Sequence, residues 1–210
     1  MRIDWLPYSA AALVLGATAL SVGALILPSG DTAETTLRLA ESQDGLWLAV
    51  AVLYFLAAVM LTLGMPSILT FFQVRGTKLG LTAIGVFTVG CIGLAGFAMM
   101  LVFFQALAKN HAIRAVAIDK ASSEPGLTVF LFGWIGAFYL GELLIAIALL
   151  RAGNVPLWIP GVLLLHVVLL PTTAILGVQA PPITALLITV ALCGVGITAN
   201  QNAARAPVPV

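Results

Sequence analysis

Charge is what this sequence has least of. Nine Lys or Arg and eight Asp or Glu stand among 210 residues, 8% in all, where a soluble domain carries about 25%. A soluble fold of this length could not cover its surface with so few, so lipid is the solvent for most of the chain. The 61% share of hydrophobic residue types excludes disordered and collagen-like classes together with it. A net charge of +1 leaves no electrostatic footprint for nucleic acid. Cysteine is nearly absent: Cys91 and Cys193 both fall inside apolar runs and form no Cys-x-x-Cys pair, which excludes a disulfide scaffold and a dithiol redox motif. Histidine occurs twice, once inside an apolar run, so this chain alone cannot offer two imidazoles to a membrane haem. A glycine-rich phosphate loop with lysine, a Gly-x-Ser-x-Gly elbow and a His-Glu-x-x-His zinc helix are all missing. Neither cofactor nor metal is expected, and the balance leans away from an enzyme.

What is abundant is apolar sequence in long runs. Six runs approach or exceed the roughly 20 residues that cross a hydrocarbon core of about 30 Å: 9–27, 46–72, 79–108, 127–150, 157–177 and 183–199. They predict one domain over residues 1–210, an all-α polytopic membrane protein built as a six-helix transmembrane bundle. The second and third runs are long enough to tilt or project. The breaks have local causes. Pro28, Ser29, Gly30 and Asp31 end the first run with a helix stop and turn formers. Gln73 to Lys78 sets two cations and a glycine between the second and third. Turns follow at Ser122 to Gly126, Asn154 to Pro160 and Gln179 to Pro182.

Orientation follows from Lys and Arg in short loops. With the N-terminus inside, Arg2, Arg75, Lys78, Arg151 and Arg205 are cytoplasmic, while Arg38, Lys109, Arg114 and Lys120 are outside. The tight 73–78 loop carries most of the argument for N-in and C-in in the plasma (inner) membrane. Trp5 and Tyr8 sit where interfacial aromatics belong. The first run is longer than a signal-peptide core and lacks a cleavage site after it, so an uncleaved first helix is expected.

Short surface helices are expected in the outer loops. In residues 29–45, Asp31 and Glu34 suggest a capping box, Glu34 and Arg38 an i,i+4 pair, and Gly45 a stop. This segment is a lid or, more simply, a solvated connector. In residues 109–126 the helical period of the third run continues, with Ile113, Val116, Ala117 and Lys120 on one face. His111, Arg114, Asp119 and Glu124 could gather an anionic or zwitterionic ligand there, although many exposed loops look the same. His111 has no second ligand at helical spacing to make a metal site.

Two ionisable side chains interrupt apolar runs: Glu142 in the fourth and His166 in the fifth. A carboxylate in hydrocarbon is costly, so it faces the bundle interior and finds a partner. Glu142 lies nine residues before Arg151, and His166 nine after Leu157, so each is roughly 13 Å from the same end. A short turn makes the two helices antiparallel neighbours, and a Glu142–His166 contact is predicted. Tyr139 shares the face of Glu142. On the second run Tyr54, Ala58, Thr62 and Pro66 recur every four residues, with Thr62 at a similar depth. Thr172 or Thr173 would satisfy backbone groups freed by Pro171. The candidate ligand or proton site is therefore Glu142, His166, Tyr139, Tyr54 and Thr62. The pair could exchange protons near neutrality, or serve only as an interhelical clamp worth about 1 kcal/mol.

Small residues mark close helix approach: Ala12, Gly16, Ala19 and Gly23 on the first run, Thr82, Gly85, Gly93 and Gly96 on the third, and Gly133, Ala137 and Gly141 on the fourth. These faces pack within the bundle or against another subunit, which admits a homo- or hetero-oligomer.

The first run ending at Pro28-Ser29-Gly30-Asp31, followed by Leu37 to Gly45 leading straight into the second run, resembles uncharacterised small multi-pass bacterial membrane proteins. The resemblance covers roughly the first half of the chain and implies no assigned activity. In size and span number the chain is also similar to substrate-binding subunits of modular vitamin importers. Those carry an Ala-x-x-x-Ala motif on their first helix, where this sequence has only Ala12-x-x-x-Gly16 and Ala17-x-x-x-Ser21. Three functions are consistent with these features: small-molecule or proton-linked transport or ligand binding, a non-catalytic assembly subunit, and, least favoured, an enzyme acting on a lipid-soluble substrate.

Overall fold

The computed structural model of the chain describes residues 5–28, 30, 32–175 and 184–205, with backbone only for 170–175 and 205. Among them are eight α-helices and no strand: α1 (Leu6–Ile26), α2 (Ala33–Ser42), α3 (Asp44–Leu69, prolonged by a 3-10 turn Thr70–Phe72), α4 (Thr77–Lys109), α5 (Ala115–Ser122), α6 (Pro125–Ala152), α7 (Trp158–Ile175) and α8 (Ala185–Arg205). By length and composition five of them, α1, α3, α4, α6 and α8, can cross a membrane. The apolar part of α7 among the described residues, Trp158–Leu169, is shorter. The last helix outruns its apolar stretch, because Asn200 to Asn202 are followed by two alanines, which sustain a helix.

The long helices form a closed ring. α1 packs on α3, α3 on α4, α4 on α6, α6 on α7, α7 on α8, and α8 returns to α1. One end of the ring carries α2 and α5, which touch each other. There Lys109 Nζ meets Asp44 at 2.8 Å, His111 lies 3.4 Å from Glu41, and the Trp47 indole N–H donates to the Leu101 carbonyl at 2.9 Å. At the other end the Asn154 amide donates to the Phe71 carbonyl at 2.9 Å.

Helix ends follow local chemistry. Pro125 opens α6 at a position where a missing N–H costs nothing. Gly153, at φ 67°, closes it by donating its N–H to Leu149. The cap of α2 differs from expectation. Thr32 accepts from the Thr35 N–H, and the Thr35 hydroxyl accepts from the Thr32 N–H. The box is thus Thr32/Thr35 and not Asp31/Glu34, because Thr32 takes up the extended backbone a cap requires. Asp31 lies outside the described residues. The Glu34–Arg38 pair is present at 2.6 Å. Gly45 is no stop: α2 ends at Ser42, and Gly45 sits inside α3. Nor does the helix of the third run continue. It breaks after Lys109, where His111 takes a left-handed φ of 51°, and α5 starts anew at Ala115.

Backbone approach locks neighbours in pairs. On α1 the expected small face is the contact face: a Cβ on Gly16 would meet the Leu61 backbone N at 2.6 Å, and one on Gly23 the Tyr54 ring at 2.8 Å. Between α4 and α6 the exchange is reciprocal. Gly90 receives Phe138, Gly141 receives Phe87, and the two rings stack 4.7 Å apart. The face predicted for α4 is displaced. Gly85 and Gly96 meet nothing within 4 Å, as does Gly133 on α6, while Gly80, Gly90 and Gly93 carry the packing. Of the predicted stripe Thr82, Gly85 and Gly96 are exposed, and Gly93 alone packs on a neighbour, against the Trp134 side chain.

Pro66 sits inside α3 and its neighbourhood is repaired from α1. The Ser67 N–H donates to Ser9 Oγ at 3.0 Å, and the Ser9 hydroxyl lies 3.0 and 3.1 Å from the Leu63 and Gly64 carbonyls. With no water in hydrocarbon, such groups must be satisfied by protein.

Candidate functional site

α6 and α7 are antiparallel neighbours across a five-residue turn, and that turn sets Glu142 level with His166. Nδ1 of His166 lies 2.8 Å from one carboxylate oxygen of Glu142 and 2.9 Å from the other. Both side chains are buried, Glu142 at 1% exposure and His166 at 4%. In apolar surroundings such a pair is least costly when its net charge is zero. Two arrangements satisfy that: imidazolium with carboxylate, or imidazole with carboxylic acid. In both, Nδ1 is engaged by Glu142 and Nε2 carries an N–H. The pair therefore presents a hydrogen-bond donor on the far side of the ring.

On that far side lies a cavity of about 390 Å³. It occupies the half of the ring nearest α2 and α5, since its walls come from the last turns of α1 (Leu20, Ala24), the first half of α3 (Tyr54), the second half of α4 (Leu94, Phe97) and the start of α8 (Ala185, Ile188). α6 contributes one continuous wall, Leu131, Trp134, Ile135, Phe138 and Tyr139, at the 3–4 residue spacing that ends one turn later on Glu142. His166 forms its floor from α7. Below, the other half of the ring is filled by Leu13, Leu61, Ile145, Leu163 and Leu192. The cavity is thus closed at the Glu142–His166 level by this filled half.

Aromatic rings line it in contact. Tyr54 and Phe97 lie 5.9 Å apart, Phe97 and Trp134 5.7 Å, Phe138 and Tyr139 5.7 Å, and Tyr139 and His166 5.7 Å. Within this apolar wall stand three polar atoms: the phenol oxygens of Tyr54 and Tyr139 and Nε2 of His166. None has a hydrogen-bond partner among the described residues, and among those residues no fully buried side-chain N or O is left unpaired. Tyr54, Tyr139 and His166 all line this cavity.

The candidate residues from sequence divide accordingly. Glu142, His166, Tyr139 and Tyr54 come together. Thr62 does not: it is exposed, and its hydroxyl returns to the Ala58 carbonyl of its own helix at 2.8 Å. A four-residue step overshoots a helical turn by about 40°, so by Thr62 the stripe has rotated about 80° from Tyr54. Thr172 and Thr173 lie outside the residues with described side chains. The charged group His111, Arg114, Asp119 and Glu124 does not converge on a ligand position. His111 turns to Glu41, and Arg114 and Glu124 are exposed. Sequence reasoning missed Phe97 and Trp134. Trp134 carried a usable signal, standing well inside an apolar run when membrane tryptophans favour the interfaces. No group of three or more His, Cys, Asp or Glu capable of holding a metal occurs among the described residues.

No protein-family model, curated protein or solved structure matches this chain, and the chemistry of the site carries the functional reading.

Proposed function

We propose that this is a six-span, N-in/C-in plasma-membrane protein that binds a small molecule in its cavity and couples occupancy to the proton held by Glu142 and His166, as a transport or ligand-binding protein. The observation that carries the reading is an aromatic cavity lined by Tyr54, Tyr139 and His166, with a buried acid–imidazole pair at its floor. Buried ionisable residues in membrane helices are functional by default. Small-molecule sites are apolar clefts of about 300–1,000 Å³ with a few converging polar groups, and this cavity fits that description. A clamp that only fixed helix packing would need no cavity beside it. The six-span count is supported by the place of α7 in the ring between α6 and α8. The orientation is supported by Arg75 and Lys78 in the short turn opposite α2 and α5.

The test is native mass spectrometry of the protein purified from its membrane. The wild-type chain is expected to retain one small molecule per chain, lost from Glu142→Gln, which keeps the shape but removes the exchangeable acid, and from Ala24→Trp, which fills the cavity. A wild-type chain that retains nothing, or a bound molecule equally present in Glu142→Gln, overturns the proposal.

A second reading, an assembly subunit, is favoured by one observation. Gly85 and Gly96 on α4 and Gly133 and Gly136 on α6 all face open space, and small residues of this kind let another helix approach. The two readings are compatible, since these glycines lie outside the ring and the cavity inside it.

A further inference from the structure

The chemistry of the cavity wall narrows what it can hold. Among the described residues no Lys, Arg, Asp or Glu lines it, so these walls offer neither an anion nor a cation a counter-charge, and a desolvated unpaired charge is strongly disfavoured. The only acid nearby, Glu142, is turned toward Nδ1 of His166 and not toward the cavity. The polar groups of its lining residues can each donate: two phenol O–H groups, which can also accept, and the Nε2–H that a net-neutral Glu142–His166 pair must carry. The rest of the wall is aliphatic side chains and the flat rings Phe97, Trp134 and Phe138, which suit offset or edge contact with another ring.

We infer that the cavity binds a neutral, flat, lipid-soluble ring compound bearing carbonyl oxygens, the chemistry of the quinone class, with its ring against Phe97 and Trp134 and its carbonyls accepting from Tyr54, Tyr139 and Nε2 of His166. This rests on the reading of the cavity as a ligand site and adds the class of ligand. Two of the donors come from residues nine-tenths or more buried, His166 and Tyr54. An apolar hydrocarbon would leave all three donors unpaired, and a buried donor without a partner costs the full desolvation of that group. A ring with carbonyl oxygens removes that cost.

The test is calorimetric titration of the full chain in lipid nanodiscs with four two-ring probes: 2-methyl-1,4-naphthoquinone, 2-methylnaphthalene, 1-naphthoate and 1-naphthylmethylammonium. The naphthoquinone is expected to saturate one site per chain. The hydrocarbon should bind about tenfold or more weakly, and Tyr54→Phe and Tyr139→Phe, which keep the ring and delete the donor, should each weaken the quinone about threefold to tenfold. Ala24→Trp should abolish saturable binding. If a charged probe or the hydrocarbon binds as tightly as the quinone and Ala24→Trp abolishes it, the inferred ligand class falls while the cavity remains a ligand site. If both tyrosine variants leave quinone affinity unchanged, the inferred class falls as well. If no probe saturates, or saturation is indifferent to Ala24→Trp, both the class and the ligand-site reading fall.

Discussion

Single side chains decide how this protein tolerates its solvent. Ser9 is the clearest case, since one hydroxyl on α1 serves the N–H of Ser67 and two carbonyls of α3 beside Pro66. Ser9→Ala removes the acceptor of the Ser67 N–H and a donor to the Leu63 carbonyl, while the Gly64 carbonyl keeps the Ser67 hydroxyl, and a loss of about 1–3 kcal/mol is expected, read as a lowered midpoint of thermal unfolding in detergent. Thr62→Val is the contrast. Its hydroxyl donates to the Ala58 carbonyl of its own helix and the residue is exposed, so the same measurement should move by no more than about 0.5 kcal/mol. The site was legible at this scale wherever cost singled a residue out. Glu142 and His166 were found because hydrocarbon penalises them and because equal counts from a shared turn set equal depth. Thr62 was misplaced because a threonine in a membrane helix satisfies itself, and its presence carries no information about a partner.

Helices pair here by where glycine lets one backbone reach another. The α4–α6 exchange, with Gly90 under Phe138 and Gly141 under Phe87, leaves no room for a side chain, since a Cβ at either position would lie 2.5 Å from the partner's backbone. Gly90→Val and Gly141→Val are each expected to destabilise by about 1–3 kcal/mol or to prevent folding. Gly85→Val, on the open side of α4, should be nearly silent in the monomer. The readouts are thermal unfolding and the elution volume of the purified protein. Which stripe of small residues faces inward was not legible for α4, and the reason is physical. A helix that is apolar all round has no polar face to mark its outside, so a glycine stripe toward lipid and one toward a neighbour read alike. On α1 the same kind of stripe was placed correctly, where Gly16 and Gly23 alternate with Ala12 and Ala19 along a single contact with α3. The element boundaries themselves were clear, because proline, glycine and short polar clusters punctuate every apolar run.

The molecule as a whole is a ring whose two ends differ: one half carries α2, α5 and the cavity, the other the tight 73–76 turn and a filled core. The proposed orientation sets the cavity in the half nearer the outside of the cell. With Cys91 and Cys193 replaced by serine, Lys120→Cys should react with a membrane-impermeant thiol reagent added to intact cells. Lys78→Cys should react only after the membrane is opened. The reverse pattern would turn the molecule over and set the cavity in the half nearer the inside. Five of the six runs coincide with helices long and apolar enough to cross a membrane, but the order around the ring was not legible, since sequence reveals which neighbours are joined by short turns and not that α8 returns to α1.

That closure has a bearing on how the chain is made. α1 cannot meet α8 until every helix between them has entered the bilayer, so Ser21 waits for Thr189, and the cavity lacks its last wall until α8 arrives. Glu142 is synthesised 24 residues ahead of the imidazole that accepts it. A nascent chain halted in that interval holds a lone acid in lipid, and a finished one does not. The same contact that forms the floor of the site thus distinguishes a completed molecule from an interrupted one.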